Sequence, residues 1–503
     1  MQNIAAIDVG SNAMRMVVGR IVYDGKVEAV ENLRLPVRLG QDAFTTGIIS
    51  EETSQQTVEA FQRFRKIADK HKVDKIRAIA TSAMREALNG NLLLDRITRQ
   101  TGIEVEIISG EEEARLIHLA ATQSVNLKNK QALLIDIGGG SVEVTLSQNG
   151  KILSTESYNM GTVRLLNTLG GKKNTALTFH HLVREYAEAA RHRIDREIGT
   201  KKIDLCIGTG GNIEEMGRLQ QKFFKGESDR LLTLEELDQL VETLSKMRVE
   251  ERIRKFNLKP DRADVILPAS IVLQMIAHEA KIKEVAIPNV GLKDGVLWEL
   301  AYRLQENVSI SPREQVWASA LRLGKKYQFD QDHAKSVALL AGRLFDQSHN
   351  LHNLENEDRL LLELGALLHD IGHFINTIDH NKHGYYILKA NPLMGLTENR
   401  QEIVANIILY HRKSMPSWQD EGFRSLTPKD RIMVTKLSAL IRLADALDVS
   451  HTGCVKEVQL EQQKDFWQLR LQGKGDLMLE QWTLEKRQKL FQEIFGVKLK
   501  VAV

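Results

Sequence analysis

The sequence predicts an α/β protein in which two similar lobes precede an all-helical segment and a small α+β tail. Three observations predict it. A strand–Asp–Gly/Ser turn–strand pattern is written twice, as AAIDVGSNAMRMVVG from Ala5 and as LLIDIGGGSVEVTLS from Leu133. From about Asn307 the texture changes to long amphipathic helical patterns with few β-branched runs. The end of the chain returns to alternation. The expected division is 1–123, 124–305, 306–453 and 454–503.

The elements follow in order. Ile4 to Ile7 is an apolar run ending at Asp8, Gly10 and Ser11 turn the chain, and MRMVVGRIV resumes it, which is a hairpin signal. After Ser50, the residues Val58, Phe61, Ile67 and Ala68 share a helical face, and Glu51 and Glu52 suit its N-terminus. A strand at 75–80, a helix around 87–101 and a strand at 105–108 come next, and Ser109 starts another helix. The second cycle begins near Gln131, with its turn at Gly138–Gly139–Gly140–Ser141 and a hairpin turn at Gln148–Asn149–Gly150. Two such cycles imply an internal duplication, with two lobes facing one another. A strand at 203–207 then runs into Gly208–Thr209–Gly210–Gly211–Asn212 and the helical IEEMGRL. The tail reads ββαβ: VKEVQLEQ, FWQLRLQ, a helical stretch at 477–495, then VKLKVAV.

Composition excludes several classes. With 503 residues, 42% hydrophobic and 27% charged, the chain can bury a large core without a disulfide or metal staple. No apolar run approaches the ~18 residues of a membrane span, so no membrane partner is expected. An acid at position 8 interrupts any signal peptide, and two distant cysteines, Cys206 and Cys454, suit a reducing compartment. A cytoplasmic protein is expected. The 69 basic and 66 acidic side chains leave a net charge of +3, so bulk charge does not argue for DNA.

The glycine turns carry the first chemical signal. A polyphosphate offers no apolar handle, so a protein holds it with many convergent N–H groups, and glycines let the backbone approach. Gly10, Ser11 and Asn12 in the first turn, Gly138, Gly139, Gly140 and Ser141 in the second, and Gly208, Gly210 and Gly211 in the third are the candidate phosphate binders. The third turn departs from a dinucleotide fingerprint, because Ile213 stands where its last glycine belongs. Any one such turn is ordinarily structural; three of them, two in duplicate context with aspartates, point to a phosphate cleft. Asp8 and Asp136 suit Mg²⁺, which favours carboxylate and phosphate oxygens.

Ser109–Gly110–Glu111–Glu112–Glu113 has two readings. Ser109 and Glu112 make a capping box, and acids favour a helix N-terminus. Alternatively one glutamate reaches the cleft as a general base for water. Both hold if Glu112 caps and Glu113 catalyses. Arg85 stands at a helix start, a poor place for a cation unless an anion binds there. Arg15 in the first hairpin is a similar candidate, and Gly161–Thr162–Val163–Arg164 is a further turn of low specificity.

The stretches AAIDVGSNAMRMVV, ATSAMREA, IISGEEEARLI, LLIDIGGGSVEV, MGTVRL and GTGGN occur in an order that resembles the exopolyphosphatase / guanosine pentaphosphate phosphohydrolase family. The likeness covers the first 300 residues, and the later segments resemble the family's long form. It implies two actin-like, ribonuclease H-like lobes, an HD-like helical domain and a small C-terminal domain. It implies removal of a terminal phosphate from inorganic polyphosphate or from guanosine pentaphosphate, with Mg²⁺. The family's catalytic glutamate corresponds to Glu113, its metal-associated acids to Asp136 with Glu143, and its phosphate contacts to Asp8, Gly10, Ser11, Asn12 and Arg85. Ala13 departs from the Ser that many members carry, at a cost of one donor at most.

In the helical segment His333, His369–Asp370 and Asp445 give the order H…HD…D of HD-type metal phosphohydrolases. Neutral imidazole and an adjacent carboxylate are suitable transition-metal ligands. His380, His383 and His411 are further donors, and Tyr410 to Lys413 adds cations. The opposing reading is an inherited scaffold whose His, Lys and Arg side chains extend a polyanion path. The expected cofactor is Mg²⁺, with a monovalent cation and a second metal in the HD-like segment as further candidates. The leading function is exopolyphosphatase, favoured over guanosine pentaphosphate hydrolysis by those basic side chains. A sugar kinase lacks a visible sugar pocket, and an HD phosphodiesterase or a non-enzymatic phosphate sensor stand further off. A homodimer through the helical segment is expected.

Overall fold

The computed structural model describes residues 2–22, 27–170, 178–188, 202–224, 228–305, 312–412 and 415–502. The chain forms two compact units, Met1–Ser309 and Ile310–Val503. The position near 306 where the sequence changes texture lies outside the described residues, as does Lys413.

Unit 1 holds two sheets of related topology. The first contains β1 (Gln2–Val9), β2 (Met14–Ile21), β3 (Val27–Leu35), β4 (Lys75–Ala80) and β5 (Val105–Ile107), in the order β3-β2-β1-β4-β5. The second contains β6 (Gln131–Ile137), β7 (Val142–Gln148), β8 (Lys151–Tyr158), β9 (Leu205–Thr209), β10 (Leu231–Thr233) and β11 (Glu284–Ala286). Its order is β10-β11-β9-β6-β7-β8. In each, an antiparallel three-strand meander is followed by parallel pairing onto its first strand, β4 on β1 and β9 on β6. The duplicated sequence therefore folds into duplicated meanders.

Strand periodicity explains the layering. Alternate side chains of a strand face opposite sides of the sheet. Ala5, Ile7 and Val9 enter one core with Phe61 and Phe64 of the helix Glu51–Lys70, while Ile4 and Ala6 enter another. Likewise Leu133, Ile135 and Ile137 face one core, and Ala132 and Leu134 the opposite one. The core shared by Ile4, Ala6, Ala132 and Leu134 is filled by Leu116 and Ile117 of the helix Gly110–Ser124 and by Val296 and Leu300 of the helix Leu292–Gln305. Two helices thus lie between the sheets, and the first of them carries Glu113.

An ion-pair network fixes these two helices. Glu299 accepts from Arg77 and from Arg115 (3.0 Å), and Arg115 forks onto Glu112 at 2.6 and 2.7 Å. Burial works against the Glu299 carboxylate, but Arg115 and Arg77 outweigh it and hold its pKa at about 2.

Unit 2 is helical, with a three-stranded sheet of β12 (Val455–Gln462), β13 (Trp467–Gly473) and β14 (Leu499–Ala502). β12 and β13 are antiparallel, β13 and β14 parallel. Helices Met478–Arg487 and Lys489–Phe495 join β13 to β14. Val458, Leu460, Leu469 and Phe491 of this tail share one hydrophobic core with Leu344, Leu367 and Leu440 of the helices. Among the described residues, no helix is long and apolar enough to cross a membrane.

Candidate active site

The first two glycine turns meet at the ends of β1 and β6. Across the first hairpin Asp8 pairs with Arg15; across the second Asp136 pairs with Glu143. The duplication therefore places a cation and an anion at equivalent positions. The turns touch: Ser11 Oγ lies 3.0 Å from Ser82 Oγ, and a Cβ on Gly140 would sit 2.0 Å from Ser82 Oγ. Glycine is required there by close approach. Residues of both turns line a cleft of about 350 Å³.

The cleft brings together Asp8, Gly10, Ser11, Asn12 and Arg15 from the first turn region, Asp136 and Gly138 to Ser141 from the second, and Gly210, Gly211 and Glu113. Gly208 does not reach it. The strand expected to end at 207 continues to Thr209, since β6 pairs with β9 as far as Asp136 opposite Thr209. Gly208 is a buried strand position where a Cβ would strike Val285 and Ile213. Gly210, with φ +95°, makes the turn instead and opens the helix Gly211–Phe223 into the cleft. Arg85 also lies outside the cleft lining: its guanidinium donates to the carbonyl of Ile108. Its charge still favours ionised Glu113 and Glu143.

Ser109 caps the helix Gly110–Ser124 by accepting from the Glu112 N–H at 3.2 Å. Glu112 turns back to Arg115, while Glu113, 7% exposed, enters the cleft. Ser109 supplies its half of the expected capping box, but the Glu112 carboxylate is taken by Arg115 instead of closing it. One oxygen each of Glu113, Asp136 and Glu143 lie within 4.8 Å of one another. Ser157 donates to Glu143 Oε1 at 2.8 Å and Thr209 to Asp136 Oδ1 at 2.5 Å. Oε2 of Glu113 and Oε2 of Glu143 are buried without a hydrogen-bond partner. Burial raises all three acids: Asp136 to about 6, against the pull of Thr209 and Arg15, Glu143 to about 8 with repulsion from Asp136, and Glu113 well above its ordinary range with repulsion from Glu143 and Asp136. Orphaned buried carboxylate oxygens are costly unless a cation or proton meets them. An all-oxygen set with this geometry fits a hard divalent cation such as Mg²⁺. Asp8, expected beside Asp136, is not part of this three-acid group; it lies 3.9 Å from Arg15.

The opposite wall is cationic. A Cβ on Gly211 would meet Arg262 Nη2 at 2.1 Å and Arg15 Nη2 at 2.6 Å, so the missing side chain makes room for two guanidiniums. Burial, then Arg15 and Arg34, press the Arg262 pKa down to about 10. Crowded like charges of this kind favour an anion. Asn12 is held by Arg38 (2.8 Å) and donates to the Asp261 carbonyl (3.1 Å), which leaves one amide hydrogen for a ligand. Sequence reasoning missed Arg34, Arg262, Asn289, Gly291 and Lys293. The helix-start argument used for Arg85 applies equally to Lys293, which follows a strand and a Gly turn. Arg262 carried no local signal.

In unit 2 the four HD residues converge. His369 Nε2 lies 3.5 Å from Asp370, 3.6 Å from Asp445 and 3.3 Å from His333 Nε2. His380 and His411 are buried in the same cluster at 2% and 0% exposure. This corrects the expectation that they line a polyanion path. His380 lies on the inner face of the helix His380–Ala390, while Lys382 and Lys389 of that helix stay exposed, and His411 follows the end of the helix Glu398–Leu409.

Family models account for most of the chain: the Ppx/GppA phosphatase family over residues 17–304, and Ppx/GppA phosphatase, domain III, over 317–489. The chain belongs to the Ppx/GppA phosphatase family. An exopolyphosphatase from Cytophaga hutchinsonii is 27% identical over 60% of this chain and 98% of its own, with TM-score 0.57. The Aquifex aeolicus member of the Ppx/GppA family is 27% identical over 61% of this chain and 99% of its own, with TM-score 0.51. The α/β actin-like fold expected from the resemblance is the fold of this Ppx/GppA phosphatase, and a helical region follows it.

Proposed function

We propose that the unit 1 cleft is an exopolyphosphatase site, which releases orthophosphate from the end of inorganic polyphosphate. The observation that carries this reading is the three-acid group with two unpartnered oxygens in one cleft with the glycine turns, Arg15 and Arg262. The name of the similar Cytophaga hutchinsonii protein supports the substrate.

Amides of the two turns and the arginines hold phosphoryl oxygens. Glu113, at a helix N-terminus and raised by burial, is the base that takes a proton from the attacking water as the phosphoanhydride opens. Asp136 and Glu143 would hold Mg²⁺, which supplies charge neutralisation to the terminal phosphoryl oxygens. Arg85 acts from behind, by favouring ionised Glu113. The helix pair clamped by Glu299 keeps Glu113 in place.

The test is phosphate release from polyphosphate and from guanosine pentaphosphate, with and without Mg²⁺. Mg²⁺-dependent release from polyphosphate that falls away in Glu113→Gln is the expected result. Release from guanosine pentaphosphate alone would transfer the same residues to that substrate. Activity undiminished in Glu113→Gln removes the assignment of the base.

A further inference from the structure

The helix that carries Arg262 is a single turn, Pro260–Ala263, and a helix of that length does not sustain itself. It is held by side chains from the start of the chain. Arg38 forks onto the Asp264 carboxylate, Nη1 to Oδ2 at 2.6 Å and Nη2 to Oδ1 at 3.1 Å. The same Nη2 donates to the Asp261 carbonyl at 3.1 Å. Arg38 Nε donates to Asn12 Oδ1 at 2.8 Å, and Asn12 in turn donates to that carbonyl at 3.1 Å. Arg34 pairs with the Asp261 carboxylate.

The backbone explains where Arg38 stands. It is the N-cap of the helix Leu39–Thr46, whose Gly40 N–H donates to the Ser11 carbonyl at 2.8 Å, so this helix starts against the first glycine turn. A cation at a helix N-terminus is unfavourable, and the Arg38 side chain makes no cap bond there. Asp264 and the Asp261 carbonyl offset that cost. Arg38 does not line the cleft, so it reaches the site only through its partners.

Arg262 needs such a hold. Its guanidinium shares the space over Gly211 with that of Arg15, and Arg34 adds a third like charge. Its own hydrogen bond goes to the neutral Asn212 amide oxygen at 2.9 Å. Repulsion among the three guanidiniums therefore drives Arg262 away from the cleft unless the turn beneath it is fixed.

Resting on the reading of this cleft as a phosphate site, we infer that Arg38 is a positioning residue. Its fork on Asp264 docks the helix Pro260–Ala263 against the first glycine turn and keeps Arg262 where it meets substrate phosphoryl oxygens. Geometry matters here more than charge: a lysine would bring a point charge without the fixed pair of donors.

The test is calorimetric binding of methylenediphosphonate, a diphosphate analogue that cannot be hydrolysed, to the full chain with Mg²⁺. Arg38→Ala and Arg38→Lys should each weaken binding about tenfold, as Arg262→Gln does, because the fork acts through that side chain. In the Arg262→Gln background Arg38→Ala should add less than about twofold. The loss should fall on KM for polyphosphate rather than on kcat. Asp264→Asn separates position from charge. It removes a negative charge near an anion site, which by charge alone tightens binding, whereas loss of position weakens it; weaker binding is expected. That variant is nearly isosteric, and with Arg38→Lys it decides the matter if Arg38→Ala fails to fold. Wild-type affinity in Arg38→Lys, tighter binding in Asp264→Asn, losses that multiply in the double variant, or a wild type that binds no methylenediphosphonate each overturn the inference. Coupled losses in a chain that releases no phosphate from polyphosphate would support Arg38 and remove the exopolyphosphatase reading. Release with multiplied losses would do the reverse.

Discussion

In unit 1 the acids Glu113, Asp136 and Glu143 offer oxygen alone and are surrounded by amides and arginines, whereas in unit 2 four imidazole nitrogens surround Asp370. The electrostatics run in opposite directions. Burial raises the unit 1 acids, and acidic neighbours add to it. In unit 2 burial also opposes charge, yet His369 and its neighbours outweigh it and hold Asp370 well below the carboxylate range. His369 in turn rises to about 9, because Asp370 and Asp445 overcome its burial. The first cluster therefore gathers acids that nothing around them fully neutralises, and the second partly neutralises itself. Hard oxygen donors suit Mg²⁺ with a phosphate; nitrogen donors suit a resident transition metal.

The largest expected effect concerns the base. Glu113→Gln should lower polyphosphate turnover by roughly 10²–10⁴ while leaving substrate binding nearly intact, the usual range for general-base removal. Steady-state kcat and KM measured side by side test this. A large rise in KM with unchanged kcat would make Glu113 a binding residue instead.

The next effect concerns the clamp behind it. Glu299→Gln leaves Arg77 and Arg115 buried without their shared carboxylate, which costs about 3–5 kcal/mol. The pH dependence has a defined sign. A carboxylate held at about 2 contributes stability that is fully present above the unfolded value near 4.3 and is lost as pH falls through 2. Urea unfolding at pH 7 and pH 3 should show the gap between wild type and variant narrowing in acid. A pH-independent gap means the network is not the source.

A smaller effect belongs to the cationic wall. Arg262 is buried beside Arg15 and donates to Asn212 at 2.9 Å, so its charge is positioned but not neutralised by that amide. Arg262→Gln should raise KM for polyphosphate about tenfold, in keeping with ~1.5–3 kcal/mol for a charged hydrogen bond, and leave kcat nearly unchanged. An equal fall in kcat would place Arg262 in the transition state.

What the sequence disclosed follows the range of each interaction. Asp8, Asp136 and their turns were legible because the duplication repeats a local pattern, and Glu113 because its capping neighbours are local too. Gly208 was misread because strand length is decided by pairing with β6, a partner distant in sequence. Arg262 and Arg34 reach the cleft from segments whose own patterns are ordinary, so nothing local marked them. His380 and His411 were visible as residue types, but basic neighbours masked which helix face points inward. The exchange of Arg15 for Glu143 at equivalent hairpin positions was written in the sequence, yet its meaning needed the register.

The smallest expected effect sharpens the contrast between the two clusters. Without a divalent cation folded Glu143 retains its proton up to about pH 8 and Asp136 up to about pH 6, whereas unfolded carboxylic acids lose theirs near 4. The native state then binds more protons, so stability falls as pH rises through this window. Mg²⁺ replaces those protons, and its stabilisation should grow from pH 6 to pH 8. At a hundredfold excess over its dissociation constant the gain is about 2.7 kcal/mol, a rise of a few degrees in Tm. Thermal unfolding with Mg²⁺ and with chelator at both pH values measures it. Glu143→Gln should abolish the shift, and Asp370→Asn should not. A shift that vanishes in Asp370→Asn would move the Mg²⁺ to the imidazole cluster and reverse the assignment of hard and borderline metals to the two units.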